Sequence, residues 1–167
     1  MRKLLQTGII TAFLATGGCA TTYGGGNFLG MTGGQHAERI DENSWQIDAA
    51  GNGYAGSKAG EAMALYKAGV VTRATGHTHF QVYSFEIFYN GYGAQSALLK
   101  IHPTNDPDAE FECESWAFRV NCRTVSADWA IEHYRADVKQ SKAQTDAEVA
   151  ALRAQYHLGD DAAAAAP

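Results

Sequence analysis

Between Ser57 and Thr75 the apolar residues Ala59, Met63, Tyr66 and Val70 recur at spacings of four, three and four, the period of a helix with one apolar face. The segments on either side alternate with the period of two that marks strands. That succession limits the chain to a helix laid against a sheet. Ser57 stands where a helix start is capped, and Gly76 where a helix end is. Gly60 and Gly69 each weaken a helix by about 1 kcal/mol relative to alanine, so they belong there only if close packing requires them. Ahead of the helix, residues 37–40 and 45–48 have strand composition, and Asp41-Glu42-Asn43-Ser44 between them is turn chemistry, which makes a hairpin. Gly51-Asn52-Gly53 closes its second strand with residues that tolerate positive φ.

After the helix, residues 79–89 alternate but change parity: Phe80 and Val82 share one face, then Tyr83, Phe85 and Ile87 the other. A bulge near Val82 or a sheet buried on both faces produces that shift. Residues 97–101 form the next strand, which Pro103 and the loop 104–108 are expected to stop. Trp116, Phe118, Val120 and Cys122 alternate with polar or small residues, as in a half-buried antiparallel strand. Past Ser126 the pattern is ambiguous, although Ile131, Tyr134 and Val138 favour a helix. Thr145-Asp146-Ala147-Glu148 reads as a capping box opening a helix to about His157, followed by a frayed alanine-rich tail. The expected order is β-β-α-β-β-β-α. This is an α+β fold: an antiparallel sheet with one packing helix after the first hairpin and a C-terminal helix.

Composition narrows the function classes. The 167 residues suit one domain with appendages. A formal charge of −5 leaves no basic excess to neutralise phosphates, which argues against nucleic acid as a partner. No run of about 18 or more apolar residues marks a spanning helix.

The amino end has the layout of a secretory signal: Met1-Arg2-Lys3 is cationic and residues 4–15 are mostly apolar. It ends in Ala15-Thr16-Gly17-Gly18-Cys19, which resembles the bacterial lipobox, with Thr16 where that motif usually has leucine. Small residues before a cysteine suit a lipoprotein signal peptidase, whose narrow cleft accepts Gly17 and Gly18 and whose substrate is a lipid-modified Cys19. The alternative is an ordinary signal peptide cut near Ala15 or Ala20. In the lipoprotein reading residues 1–18 are removed, and Cys19 carries acyl chains that hold the protein on a bilayer. Ala20, rather than an aspartate, looks like an outer-membrane sorting signal. Losing Arg2 and Lys3 moves the formal charge from −5 to −7, so the chain needs a lipid to stay on an anionic leaflet. Residues 19–34 then form a glycine-rich tether, residues 35–140 the α+β domain, and residues 141–167 the C-terminal helix and tail. Gly24-Gly25-Gly26 lacks the following lysine and serine or threonine of a phosphate loop.

Gly33-Gly34, the segment from Arg39 to Ile47, Gly51-Asn52-Gly53-Tyr54, the helix, Gly76 and Phe80 together form a pattern. It is similar to a family of small alphaproteobacterial envelope lipoproteins of unknown function. The match covers residues 33–82, about a third of the chain. Gln35-His36 stands where members commonly show an aromatic. The resemblance implies a lipid-anchored α+β module and supplies no catalytic residues.

Several residues invite chemical readings. His77 and His79 would share one face of a strand, with His102, Asp106 or Asp108 completing a metal site; no HExxH or CxxC accompanies them, and a histidine after a helix end is commonly structural. Cys113 and Cys122 are a disulfide candidate in an oxidising compartment. Against it, nine extended steps span roughly 30 Å, while bonded cysteines need Cα atoms about 4.4 to 6.8 Å apart. No GxSxG occurs, and Ser96 reads as a strand start. Glu110, Glu112 and Glu114 read as a solvated strand face. Among Tyr83, Phe88, Tyr89 and Tyr92, core packing accounts for most, with Tyr92 expected to be exposed.

The expectation is a non-enzymatic lipoprotein on the periplasmic face of the outer membrane. It is held in lipid through Cys19, uses no cofactor, and binds an envelope protein or cell-wall component. The alternative is a metal-binding protein or metal-dependent enzyme using His77 and His79. A third reading is a purely structural envelope module.

Overall fold

A computed structural model of the chain describes residues 34–51, 58–89, 94–109 and 123–158. Strands β1 (Gly34–Arg39) and β2 (Trp45–Ala50) form the expected hairpin, with Gly34 opposite Ala50 and Arg39 opposite Trp45. Its first strand begins at Gly34, a residue assigned from sequence to the tether. The turn is held by its own polar groups: Ile40 N–H donates to the Ser44 carbonyl at 2.9 Å, and Asn43 N–H donates to Asp41 Oδ1 at 2.8 Å.

Helix α1 (Ala59–Ala74) follows, with Lys58 as its N-cap and no side-chain capping bond from that residue. Ser57, the expected cap, lies outside the described residues, as do Asn52, Gly53 and Tyr54. The sheet takes over part of the capping work, since Gln95 Oε1 accepts from Glu61 N–H at 3.0 Å, one of the donors a helix start leaves unpaired. Gly76, at φ +81°, ends the helix as expected.

The single apolar stripe proves too narrow a description of α1. Ala64, Leu65, Ala68 and Val71 are buried along with Met63, Tyr66 and Val70, because α1 is a middle layer. On one side it packs on β1 to β4, and on the other on α2 (Ala127–Tyr134) and α3 (Lys142–Tyr156). A helix covered on two sides is apolar nearly all round. The two glycines are explained by that crowding. A Cβ at Gly60 would lie 2.8 Å from the Gln95 carbonyl oxygen, and one at Gly69 would lie 2.8 Å from that of Ala127. Their cost of about 1 kcal/mol each is offset by burying one side chain such as Leu65, worth about 1.5–3 kcal/mol.

The other strands are β3 (His79–Tyr89), β4 (Gln95–Thr104) and β5 (Arg123–Ser126). The sheet order is β1-β2-β4-β3-β5, with every neighbouring pair antiparallel. Strands β2 and β3, joined through α1, therefore run parallel, and β4 fills the gap between them as a split β-α-β unit. The parity shift in β3 is a register shift between Val82 and Ser84. It puts Val82 and Phe85 on the core face opposite Ile101 and Leu99, and leaves Tyr83 as the extra residue.

Two sequence expectations need correction, and a third point that the pattern left ambiguous is resolved. Pro103 does not stop β4, which runs to Thr104 with Pro103 opposite Phe80. The β2 pairing ends at Ile101, so beyond it one flank of β4 is open and a residue without N–H is tolerated. Thr145 does not start α3. The capping box is one turn earlier, Ser141 with Gln144, and Thr145 sits inside the helix with its hydroxyl turned to buried partners. The segment past Ser126 is a short helix, α2, with Ser126 as N-cap; Val138 packs in the core beyond its end. The strand expected at residues 116–122 lies outside the described residues, as do residues 1–33 and 159–167.

Candidate functional site

The histidines proposed from sequence stand apart in separate polar contacts. His77 precedes β3 and its Nδ1 lies 3.0 Å from Thr75 Oγ1. His79 Nδ1 lies 2.9 Å from Thr78 Oγ1. His102 Nδ1 reaches Ser44 Oγ at 3.1 Å and the Asn43 carbonyl at 3.2 Å, and its ring stacks on Tyr83 with centroids 4.2 Å apart. Asp106 holds its own loop, with Oδ1 accepting from Asp108 N–H at 2.9 Å. Among the described residues no group of three His, Cys, Asp or Glu side chains is placed to hold a metal ion. Cys19, Cys113, Cys122, Tyr92 and the three glutamates of the 110–114 segment lie outside the described residues. Tyr83 is buried as expected, but Phe88 and Tyr89 are not: at the far end of β3 they are 51% and 65% exposed, and Phe88 lies on the face opposite that of Phe85.

Among the described residues two clefts bring side chains together. The first lies between the start of α1 and the end of α2. It encloses about 400 Å³ and is lined by Lys58, Glu61, His133, Tyr134 and Asp137, with Ala59 and Ala62 as floor. Helical spacing of four puts Trp129 over His133, stacked at 4.7 Å and 16°. Tyr134 meets the His133 ring edge-on at 4.7 Å. Burial, with help from the Glu61 charge, holds the Tyr134 phenol above its ordinary pKa, so at neutral pH it is a hydrogen-bond donor. Among the described residues the cleft offers one cation, two carboxylates, one phenol and the His133 ring, on whose face the 46% exposed Trp129 is stacked. Neither serine nor cysteine is among the described residues that line it. These groups are suited to hydrogen bonding with polar partners and stacking with planar ones.

The second cleft, about 410 Å³, lies where the β1–β2 turn, the end of α1 and the end of α3 meet. Among the described residues Arg39, His77, Arg153 and His157 reach it, with Glu42 as the one carboxylate, over an apolar wall that includes Leu158 and the buried Trp45. Arg153 crosses from α3 to cap α1, donating from Nε to the Ala74 carbonyl at 3.1 Å and from Nη2 to that of Arg73 at 2.8 Å. Arg39 similarly binds the turn, from Nε to the Asp41 carbonyl at 3.0 Å and from Nη2 to that of Glu42 at 2.9 Å.

Sequence reasoning missed the residues of both clefts except His77. The Trp129–His133 pair did carry a signal, two rings at i and i+4 on the exposed side of a short helix. Arg39 and Arg153 carried none, since only the completed fold joins the two ends of the domain. Comparisons of the chain with family models, curated proteins and solved structures return no match.

Proposed function

We propose that this chain is a lipid-anchored envelope lipoprotein on the periplasmic face of the outer membrane, acting as a non-enzymatic binding module for another envelope component. The observation that carries the reading is Gly17-Gly18-Cys19 at the end of a cationic and then apolar leader. Cys19 precedes the start of β1 by fifteen residues, six of them glycine in the stretch from Ala20 to Gly34. That separation spans at most about 50 Å when extended, enough to hold the domain clear of the headgroups while it meets a partner. The resemblance to small alphaproteobacterial envelope lipoproteins supports the same reading. The α1–α2 cleft, whose lining residue His133 has the exposed Trp129 ring stacked on it, is the docking surface, because tryptophan is enriched among binding hot spots.

Mass spectrometry of the mature protein tests the anchor. A first residue Cys19 carrying acyl chains is expected, and an unmodified start elsewhere overturns it. Photocrosslinking in intact envelopes tests the docking surface. A photoreactive residue at position 129 should give a discrete adduct that the same residue at Ala151, exposed on α3, does not give. Equal labelling from both positions removes the assignment.

A further inference from the structure

The cleft at the meeting of the β1–β2 turn, α1 and α3 is unlike the rest of this acidic protein. Among the described residues two guanidiniums and two imidazoles approach it from three parts of the chain, against one carboxylate. Arg73, Arg135, Lys67 and Lys142 all have carboxylate partners. Arg39 and Arg153 have none among the described residues. Each instead uses Nε and Nη2 to grip two backbone carbonyls. A guanidinium has five N–H donors in a fixed plane, so each arginine keeps three while its orientation is already set. The conformational cost of ordering a long side chain around a ligand is thereby met by the fold.

We propose that this cleft is a binding site for a small oxyanion-bearing molecule, whose phosphate or carboxylate group is held by Arg39 and Arg153. Guanidinium forks match the oxygen spacing of either group. His77 uses Nδ1 against Thr75, which leaves Nε2 for the ligand, and His157 adds a second imidazole from the left-handed cap of α3. At about 410 Å³ the cleft exceeds what a bare phosphate fills, so the ligand's carbon skeleton lies along the partly exposed Leu158. Glu42 opposes the anion and limits affinity. The site stands independently of the lipid anchor and of the α1–α2 cleft.

The test is calorimetric titration of the full chain in detergent, at constant ionic strength, with inorganic phosphate and citrate as separate probes. Saturable one-to-one binding of at least one is expected, and the probe that binds tells phosphate from carboxylate recognition. Arg39→Gln should weaken it about tenfold or more. Arg153→Lys, which keeps the charge and a donor for the end of α1, should weaken it about fivefold through loss of the fork. Glu42→Gln should tighten it a few-fold, roughly the effect of removing one nearby like charge. Lys142→Gln changes net charge equally on a distant surface and should leave affinity unchanged. NMR of the unsubstituted chain gives a readout that no folding defect affects, with the His77, His157 and Gly76 signals shifting along the same isotherm. Absence of saturable binding by both probes overturns the proposal. So does equal weakening by Lys142→Gln and Arg39→Gln, or affinity indifferent to both arginine changes.

Discussion

Tyr66 of α1 and Thr145 of α3 meet hydroxyl to hydroxyl at 2.7 Å in the buried seam between the two helices. The Thr145 hydroxyl donates its one proton to the Ser141 carbonyl at 3.1 Å, so the proton between the two residues is the tyrosine's. Burial raises the Tyr66 pKa above its ordinary value of 10.0. A group with a raised folded pKa contributes stability that is complete below the unfolded pKa and is lost as pH climbs through the folded one. Stability should therefore fall above about pH 10. Tyr66→Phe should cost about 1 kcal/mol at pH 7 and flatten that alkaline decline, as read by urea unfolding from pH 7 to 11.

Lys67 and Glu148 form a largely buried ion pair one helical turn away, with side chains 7% and 19% exposed. Removing one partner from such a pair costs about 3 kcal/mol, whereas replacing both with apolar residues of similar volume is often neutral. Lys67→Ala should lower the denaturation midpoint sharply. The double change Lys67→Met with Glu148→Leu should recover most of the loss.

Gly60→Ala and Gly69→Ala each raise helix propensity, yet both should destabilise. The added methyl would meet a backbone carbonyl at 2.8 Å in either case, and overpacking of this kind costs about 1–3 kcal/mol. Gly76→Ala differs in cause: the space is open but φ is +81°, so it should cost about 1–2 kcal/mol in backbone strain alone. Thermal unfolding of the three variants separates clash from strain if Gly76→Ala is also the one that leaves the α1 amide signals in place.

The Asp41 carboxyl is held below its ordinary 3.8, first by the Asn43 N–H and then by the Ser44 side chain. A depressed carboxylate contributes stability above its unfolded pKa and loses it as pH falls through the folded one. The hairpin turn should thus stay closed at pH 4 and open below that. An NMR titration of the Asn43 amide should give a midpoint under 3.8, and Asp41→Asn should abolish the titration.

Trp129→Ala removes a ring that is 46% exposed and makes its stacking contact with His133. Unfolding free energy should change by no more than about 0.5 kcal/mol, while capture of a partner through the α1–α2 cleft should be lost. A destabilisation of several kcal/mol would make the ring structural.

The legible parts of the fold are those decided by local period. The hairpin, α1, the parity shift at Tyr83 and the strand at Leu99 follow from side chains alternating within a few residues, and each stands where local pattern puts it. Errors arise where a distant element settles a local choice. Thr145 resembles an N-cap until Tyr66 claims its hydroxyl. Pro103 resembles a stop until β2 is seen to end two residues earlier. The stripe on α1 is correct but incomplete, because coverage by α2 and α3 depends on residues more than fifty positions away. The same reason hides the arginine cleft: Arg39 and Arg153 are neighbours only after the last helix docks.

The last turn of α3 is fastened to the first strand, since the Tyr156 hydroxyl donates to the Ala37 carbonyl at 3.1 Å and its ring packs edge-on against Trp45 at 4.7 Å. Mechanically, this makes a buckle. Tension arriving along the chain before Gly34 is applied to β1, an edge strand bonded among the described residues to β2 alone, and such a strand peels one rung at a time. Peeling that starts at the Gly34–Ala50 rung reaches Ala37, the fourth residue of the strand, and must there also break the Tyr156 clasp. Trimming the chain ahead of Tyr156 would therefore lower the force the domain bears far more than it lowers resting stability.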